Sequence, residues 1–424
     1  MTPAPGVLRR AAALALLAAA AAVLVLLGGG LLLRGVLAAT PAGASSVSGC
    51  GEGPNTSVVD VVLNGVDAVT LTTVPIANAN GTDRAIAIAI GTGTPTACLD
   101  DTGAPEYVTE VTSIVVSSPA STNSLTVNLA NGPFGPDGDV APGTTTPSYA
   151  PCAIAISGTL PAASLTIDNV APVPLSAGGP STTGVTLGTA GADLEAGACS
   201  APDLTAGPVA SYTVSTPSGS TALYTLSAQG SALDGTGGAV AVPVTLTDNG
   251  QAAVLIPGDP GAAVTDTLTG SSGTTVDESG APNPVNATLG ATSGTLAGGY
   301  GGSGTVSLSG VGILKAPTGL GTPNSASFAT VSSGVTVVPG TSCGNELLVT
   351  DTSPTLSYTL CGFANLTGSS AGSNTMTAGS GTISFTAAGG SNTMTAGSGN
   401  DTFSGTGNDN TFNGGSGTGT DTFS

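Results

Sequence analysis

Apolar and polar side chains alternate with a period of two in many short runs of this chain. Ala85-Ile-Ala-Ile-Ala-Ile90, Ser124-Leu-Thr-Val-Asn-Leu129 and Ser211-Tyr-Thr-Val-Ser215 are clear examples. Such runs turn one face to a core and the other to solvent, and the Gly, Pro, Asn and Asp clusters between them are turn formers, so each is predicted to be a strand. Thr221 to Leu226 is expected to return as a hairpin after Pro217-Ser-Gly219. Ala239 to Thr247 is expected to pair with Gln251 to Ile256 across Asp248-Asn-Gly250. No stretch after Arg34 has a helical period. The predicted fold is therefore all-β, with tandem Ig-like β-sandwich modules in the middle of the chain.

A second pattern governs residues 369–424. Gly372-Ser-Asn-Thr-Met-Thr-Ala-Gly-Ser-Gly381 recurs unchanged as Gly390-Ser-Asn-Thr-Met-Thr-Ala-Gly-Ser-Gly399, eighteen positions on, which is two units of nine. Large apolar residues mark the units at Met376, Phe385, Met394, Phe403 and Phe412, with Phe423 displaced by a two-residue insertion. A period of nine suits a short strand followed by a Gly-rich turn, wound repeatedly, two units to a coil. This predicts a C-terminal parallel β-roll or solenoid, each coil burying its apolar residue against the next.

These repeats resemble the repeats-in-toxin, or haemolysin-type calcium-binding, nonapeptide family, whose pattern is G-G-x-G-x-D-x-U-x. Ala396-Gly-Ser-Gly-Asn-Asp-Thr-Phe-Ser404 fits at Gly397, Gly399, Asp401 and Phe403. Gly414 to Gly417, with Asp421 and Phe423, fits with the insertion; in the unit between them Asp409 stands one place early. The resemblance implies Ca²⁺ held by Asp carboxylates and backbone carbonyls of turns stacked eighteen residues apart. It makes Asp401, Asp421, Asp409, Gly397, Gly399 and Gly417 the candidate metal residues. The register puts Ile383, Asp401 and the shifted Asp421 on one side of the coil and Asn374, Asn392 and Asn410 on the other. One ion is expected between Asp401 and Asp421, and a metal-free ladder of amides is at least as well supported on the other side.

At the other end, Arg9 and Arg10 precede an uncharged Ala/Leu/Val run from Ala11 to Leu33, long enough to cross a bilayer, and Ala42-Gly-Ala44 offers a signal-peptidase site. Residues 1–44 are expected to form a hydrophobic signal helix or membrane anchor, the membrane contact being through this segment alone. The orientation sends the remainder out of the cell. The expected divisions beyond it are sandwich modules at 45–147 and 148–257, a Gly/Ser/Thr-rich β region at 258–368 and the β-roll at 369–424.

Six cysteines lie outside the signal segment, an even number suited to an oxidising compartment. Cys50 and Cys98 are 48 apart and Cys152 and Cys199 are 47 apart, and the second pair repeats the first about a hundred residues on. This offset is the basis for the two modules. Among fifteen connectivities, the sequential one is preferred: Cys50–Cys98, Cys152–Cys199 and Cys343–Cys361.

Composition removes several functions. The chain has 5 Lys and Arg against 25 Asp and Glu, and three of the five cations lie in the signal segment, so nucleic acid is not an expected partner. With no His, neither a Ser-His-Asp triad nor an H-E-x-x-H zinc site can be built. Asp101-Thr-Gly103 lacks a second copy and is expected to be a turn. Gly299-Tyr-Gly-Gly-Ser-Gly304 leads into a strand rather than a helix, which argues against a dinucleotide site. Glu106, Glu110 and Asp100-Asp101 are the nearest acidic cluster for a carboxylate-dependent extracellular hydrolase, but 3% aromatic content and the absence of Trp argue against a sugar cleft. The expectation is a non-enzymatic, calcium-binding protein, secreted or held at the cell surface, with a structural or adhesive role toward cell-wall or surface ligands; a metal-free structural solenoid is the alternative.

Overall fold

The computed structural model describes residues 49–52, 58–62, 68–78, 81–108, 111, 113–117, 124–128, 154–156, 164–168, 183–188, 191–193, 204–206, 211–216, 224–228, 243–250, 253–258 and 264–424, the last without 344–345, 352–355 and 416. The signal segment, the Cys152–Cys199 pair and the 131–147 connection lie outside the described residues. Those described are almost entirely β: two sheets, of 17 and 16 strands, and one 3-10 turn at Gly299–Gly301. Among the described residues no helix is long and apolar enough to cross a membrane.

In the tail, successive strands alternate between the two sheets. Thr375–Thr377, Thr393–Thr395 and Thr411–Asn413 stack in parallel in the first sheet. Phe363–Thr367, Ser384–Ala387, Thr402–Gly405 and Thr422–Phe423 stack in parallel in the second. Met376 faces Met394, which faces Phe412; Phe385 faces Phe403, which faces Phe423. The nine-residue unit is thus half a circuit. Its apolar residue enters the core, where Met376, Phe385, Met394 and Phe403 are all fully buried.

The same winding extends well ahead of the tail. Ser211–Ser215 pairs in parallel with Ser164–Asp168 on one side and Val244–Thr247 on the other, while Tyr224–Ser227 pairs in parallel with Ala253–Ile256. The two hairpins expected here are therefore not formed, because the strands of each expected pair lie in different sheets. At the corner after Val244–Thr247, the Asp248 carboxylate accepts from Thr216 Oγ1 at 3.1 Å, Gly250 N at 2.8 Å and Thr274 Oγ1 at 2.6 Å. A period of two gives an inward and an outward face to either arrangement, and hydroxyl bonds between corners select the coil.

Pairing also crosses the expected divisions. Val115 pairs with Ala155, Thr245 with Thr267, and Thr367 with Thr386, so the sheets do not break at 147/148, 257/258 or 368/369. Residues 47–424 form one compact unit. Antiparallel detours interrupt the winding. Val285–Leu289, Ser293–Gly298 and Thr305–Ser309 form one in the second sheet; Val335–Pro339, Leu347–Asp351 and Ser357–Cys361 form one in the first. A long hairpin of Ala68–Asn78 with Gly81–Ile90 sits nearer the N-terminal end. Disulfides Cys50–Cys98 and Cys343–Cys361 are formed as expected.

Candidate functional site

Several of the described coils are fastened to their neighbours by an Asn or Asp at the entry to a strand. Its side-chain oxygen accepts the N–H of the equivalent residue in the preceding coil. Asn374 N donates to Asn392 Oδ1 at 3.0 Å, and Asn392 N donates to Asn410 Oδ1 at 3.3 Å. The amide nitrogens complete the ladder: Asn374 Nδ2 donates to Asn392 Oδ1 at 2.7 Å and Asn392 Nδ2 to Asn410 Oδ1 at 2.8 Å. Outside the repeats, Val285 N donates to Asn324 Oδ1 at 2.8 Å and Val335 N to Asn374 Oδ1 at 3.1 Å. A buried amide here satisfies backbone donors that would otherwise be left unpaired. The ladder positions 374, 392 and 410 are legible in the sequence, whereas Asn324 is not, because its spacing is set by the detours rather than by nine.

The candidate metal residues occupy the matching position on the other side. Asp401 is buried; its Oδ1 accepts from Ile383 N at 3.0 Å and its Oδ2 from Gly397 N at 2.8 Å. Asp401 N in turn donates to Asp421 Oδ1 at 3.1 Å. Asp266 does the same, accepting from Val244 N and Gly258 N, both at 3.0 Å. Asp401 and Asp421 are thus brought together in register, as the eighteen-residue circuit with its insertion requires. Asp409 is not with them: it is exposed, at a φ of 61°, in the turn next to Asn410.

Calcium takes roughly 6–8 oxygens at about 2.3–2.6 Å. In these turns both Asp401 oxygens are engaged by backbone donors, and the Gly379 carbonyl accepts from Ser398 N at 3.1 Å. A Cβ on Gly397 would collide with the Gly379 carbonyl, and one on Gly399 with that of Gly381, so these turns stack with their carbonyls against the next coil. Gly417 presses in the same way on Ser398. As arranged, both Asp401 oxygens and the Gly379 carbonyl cap backbone N–H groups. Among the described residues no three Asp, Glu or Cys side chains gather at one point.

Of the acidic cluster suggested for hydrolysis, Asp100, Asp101 and Glu106 are among the described residues. Asp100 Oδ1 accepts from Thr102 N at 2.9 Å, Thr102 Oγ1 at 2.8 Å and Ala104 N at 2.7 Å, which makes Asp101-Thr-Gly103 part of a turn. The bond from the Thr102 hydroxyl leads the effects that hold the Asp100 carboxyl below its usual range. Glu106 is buried, and Glu110 lies outside the described residues.

What the coil presents instead is a surface. Thr70, Thr126, Thr166, Thr213, Thr245, Thr267 and Ser307 are successive register partners in the second sheet. Thr295, Thr288, Ser327, Thr367, Thr386 and Ser404 continue the file. Every strand on this path from Ala68–Asn78 to Thr402–Gly405 contributes one hydroxyl residue, at about 4.8 Å per rung. Thr288, Thr295 and Thr386 are exposed. A flanking file holds Asn286, Ser325, Asn365, Ser384 and Thr402, with Ser325 Oγ donating to Asn286 Oδ1 at 2.7 Å. The outer face of the first sheet is mixed, with Asp60, Val254, Ile313, Lys315, Leu348 and Val338 among its outward positions. The sequence signal for the uniform file was present in runs such as Thr265-Asp-Thr-Leu-Thr269, but only pairing aligns them.

No family model matches the chain, and neither a curated protein nor a solved structure does.

Proposed function

We propose that this is an extracellular, non-enzymatic structural protein whose β-roll-like coil presents the hydroxyl face of its second sheet as an adhesive surface for hydroxyl-rich wall or surface polymers. The unbroken Ser/Thr file carries the reading. It is uncharged in a chain of 25 acidic and 5 basic residues, so the acids are kept out of this file. Closely spaced hydroxyls can exchange hydrogen bonds with a polymer at many points, each weak, with avidity from repetition. The two disulfides support a compartment outside the cytosol.

The coil is proposed to stand without metal, because amides and carboxylates share one capping role in it. Retention of the purified chain on wall polysaccharide, with calcium and with chelator, tests both points. Retention is expected to be unaffected by chelator and to fall about tenfold or more in the Thr288→Lys/Thr386→Lys double variant, with the β signal in circular dichroism unchanged. Undiminished retention in that variant would refute the adhesive face. A rise in melting temperature on adding calcium, lost in Asp401→Ala, would instead restore the calcium reading at Asp401 and Asp421.

A further inference from the structure

Glu278 stands where the chain leaves the coil for the detour in the second sheet, between Thr275–Asp277 in the first sheet and Val285–Leu289 in the second. It is 1% exposed. Its backbone N donates to Lys315 O at 2.8 Å and its carbonyl accepts from Ala281 N at 2.9 Å, which fixes the side chain pointing inward. Oε2 accepts from Tyr300 N at 2.7 Å, while Oε1 is buried without a partner.

The corner facing this carboxyl is moulded to it. Gly299 has a φ of 62°, and a Cβ there would lie 2.5 Å from Oε2. The corner is tied to the chain before it by Gly299 N donating to Pro284 O at 3.1 Å and Asn283 Nδ2 donating to Gly299 O at 3.1 Å. The charged and titratable groups around Glu278 are Asp277 at the end of the strand before it, Asp266 on Thr265–Thr269, the Tyr300 phenol, and Lys315 on Ile313–Lys315. Lys315 Nζ lies 3.9 Å from Asp277 Oδ2 and is directed to that carboxylate.

We propose that Glu278 is a proton-controlled latch on the Gly298–Tyr300 corner: neutral, it holds the detour from Val285 to Ser309 closed on the coil, and ionised, it lets the corner open. An ionised carboxylate with one oxygen buried and unpaired is destabilised in place, and opening the corner returns it to water. Burial is the main cause that raises its pKa, the Tyr300 N–H opposes this, and the charges of Asp277 and Asp266 add to it; the result is a pKa of about 7, up from 4.5. Because the folded value is the higher one, the closed corner is fully favoured below pH 4.5 and loses that advantage as pH rises through about 7.

Amide hydrogen exchange on the full chain, corrected for intrinsic rates, tests the latch. Between about pH 5 and about pH 8, protection at Gly299 and Gly304 is expected to fall roughly tenfold to a hundredfold, with Thr393–Thr395 unchanged. Glu278→Gln should abolish the dependence, and Asp277→Asn should keep it but move its midpoint to lower pH. Flat protection in the unsubstituted chain, or a dependence retained in Glu278→Gln, would overturn the proposal. Should Glu278→Gln fail to fold, a midpoint that Asp277→Asn leaves unmoved would overturn it as well.

Discussion

At the scale of single residues, one polar device recurs with two chemistries. Asn392 accepts the N–H of Asn374 through Oδ1 and donates through Nδ2 to Gly389 O at 2.9 Å, so it needs both halves of an amide. Asp401 accepts at both oxygens, from Ile383 N and Gly397 N, so it needs two acceptors. The two are therefore not interchangeable. Asp401→Ala leaves two backbone donors unpaired and is expected to destabilise the chain by about 2–4 kcal/mol, whereas Asp401→Asn, which keeps one acceptor, should cost about 1–2 kcal/mol. Urea denaturation with and without calcium measures both, and equal losses in the two variants would deny the second bond its role. The position of Asp401 was legible in the nine-residue pattern. Its partners were not, because a carboxylate in a repeat signals a ligand and a cap alike until the donors are placed.

At the scale of the element, each short strand is held by what lies above and below it. Phe403 is fully buried, with ring centroids 5.5 Å from both Phe385 and Phe423. Phe423 is itself 41% exposed, and Phe412 is only partly buried. Phe403→Ala is expected to cost about 3–5 kcal/mol, since its neighbours are fixed by pairing and cannot close the space. Because coils contact only their neighbours, the loss should appear first in hydrogen exchange at Thr402–Gly405 and Thr422–Phe423 and leave Phe363–Thr367 protected. Uniform loss along the coil would contradict this. Strand positions such as Ser211–Ser215 were readable from alternation alone, whereas partners were not: the alternation of a hairpin arm and that of a coil rung are the same.

At the scale of the whole molecule, disulfides join points that the winding brings together. Cys343–Cys361 closes a separation of 18 and Cys50–Cys98 one of 48. Chain entropy gives about 3 and about 4 kcal/mol for these loops, so reduction is expected to lower the melting temperature markedly, with the Cys50→Ser/Cys98→Ser variant showing the larger loss. Calorimetry of each pair variant checks the order. The sequence by itself determined the all-β character, the eighteen-residue circuit of the tail and the apolar residue of each half-circuit, because all of them are local periods; the two cysteine pairs it only preferred among fifteen connectivities. Only the tertiary structure decided that the middle of the chain winds with the tail, that Asn324 and Asp266 serve as caps, that Glu278 is buried with one oxygen unpaired, and that hydroxyls from distant strands fall into one file. Those outcomes depend on which strands become neighbours, and detours of unequal length set that pairing beyond the reach of any fixed interval.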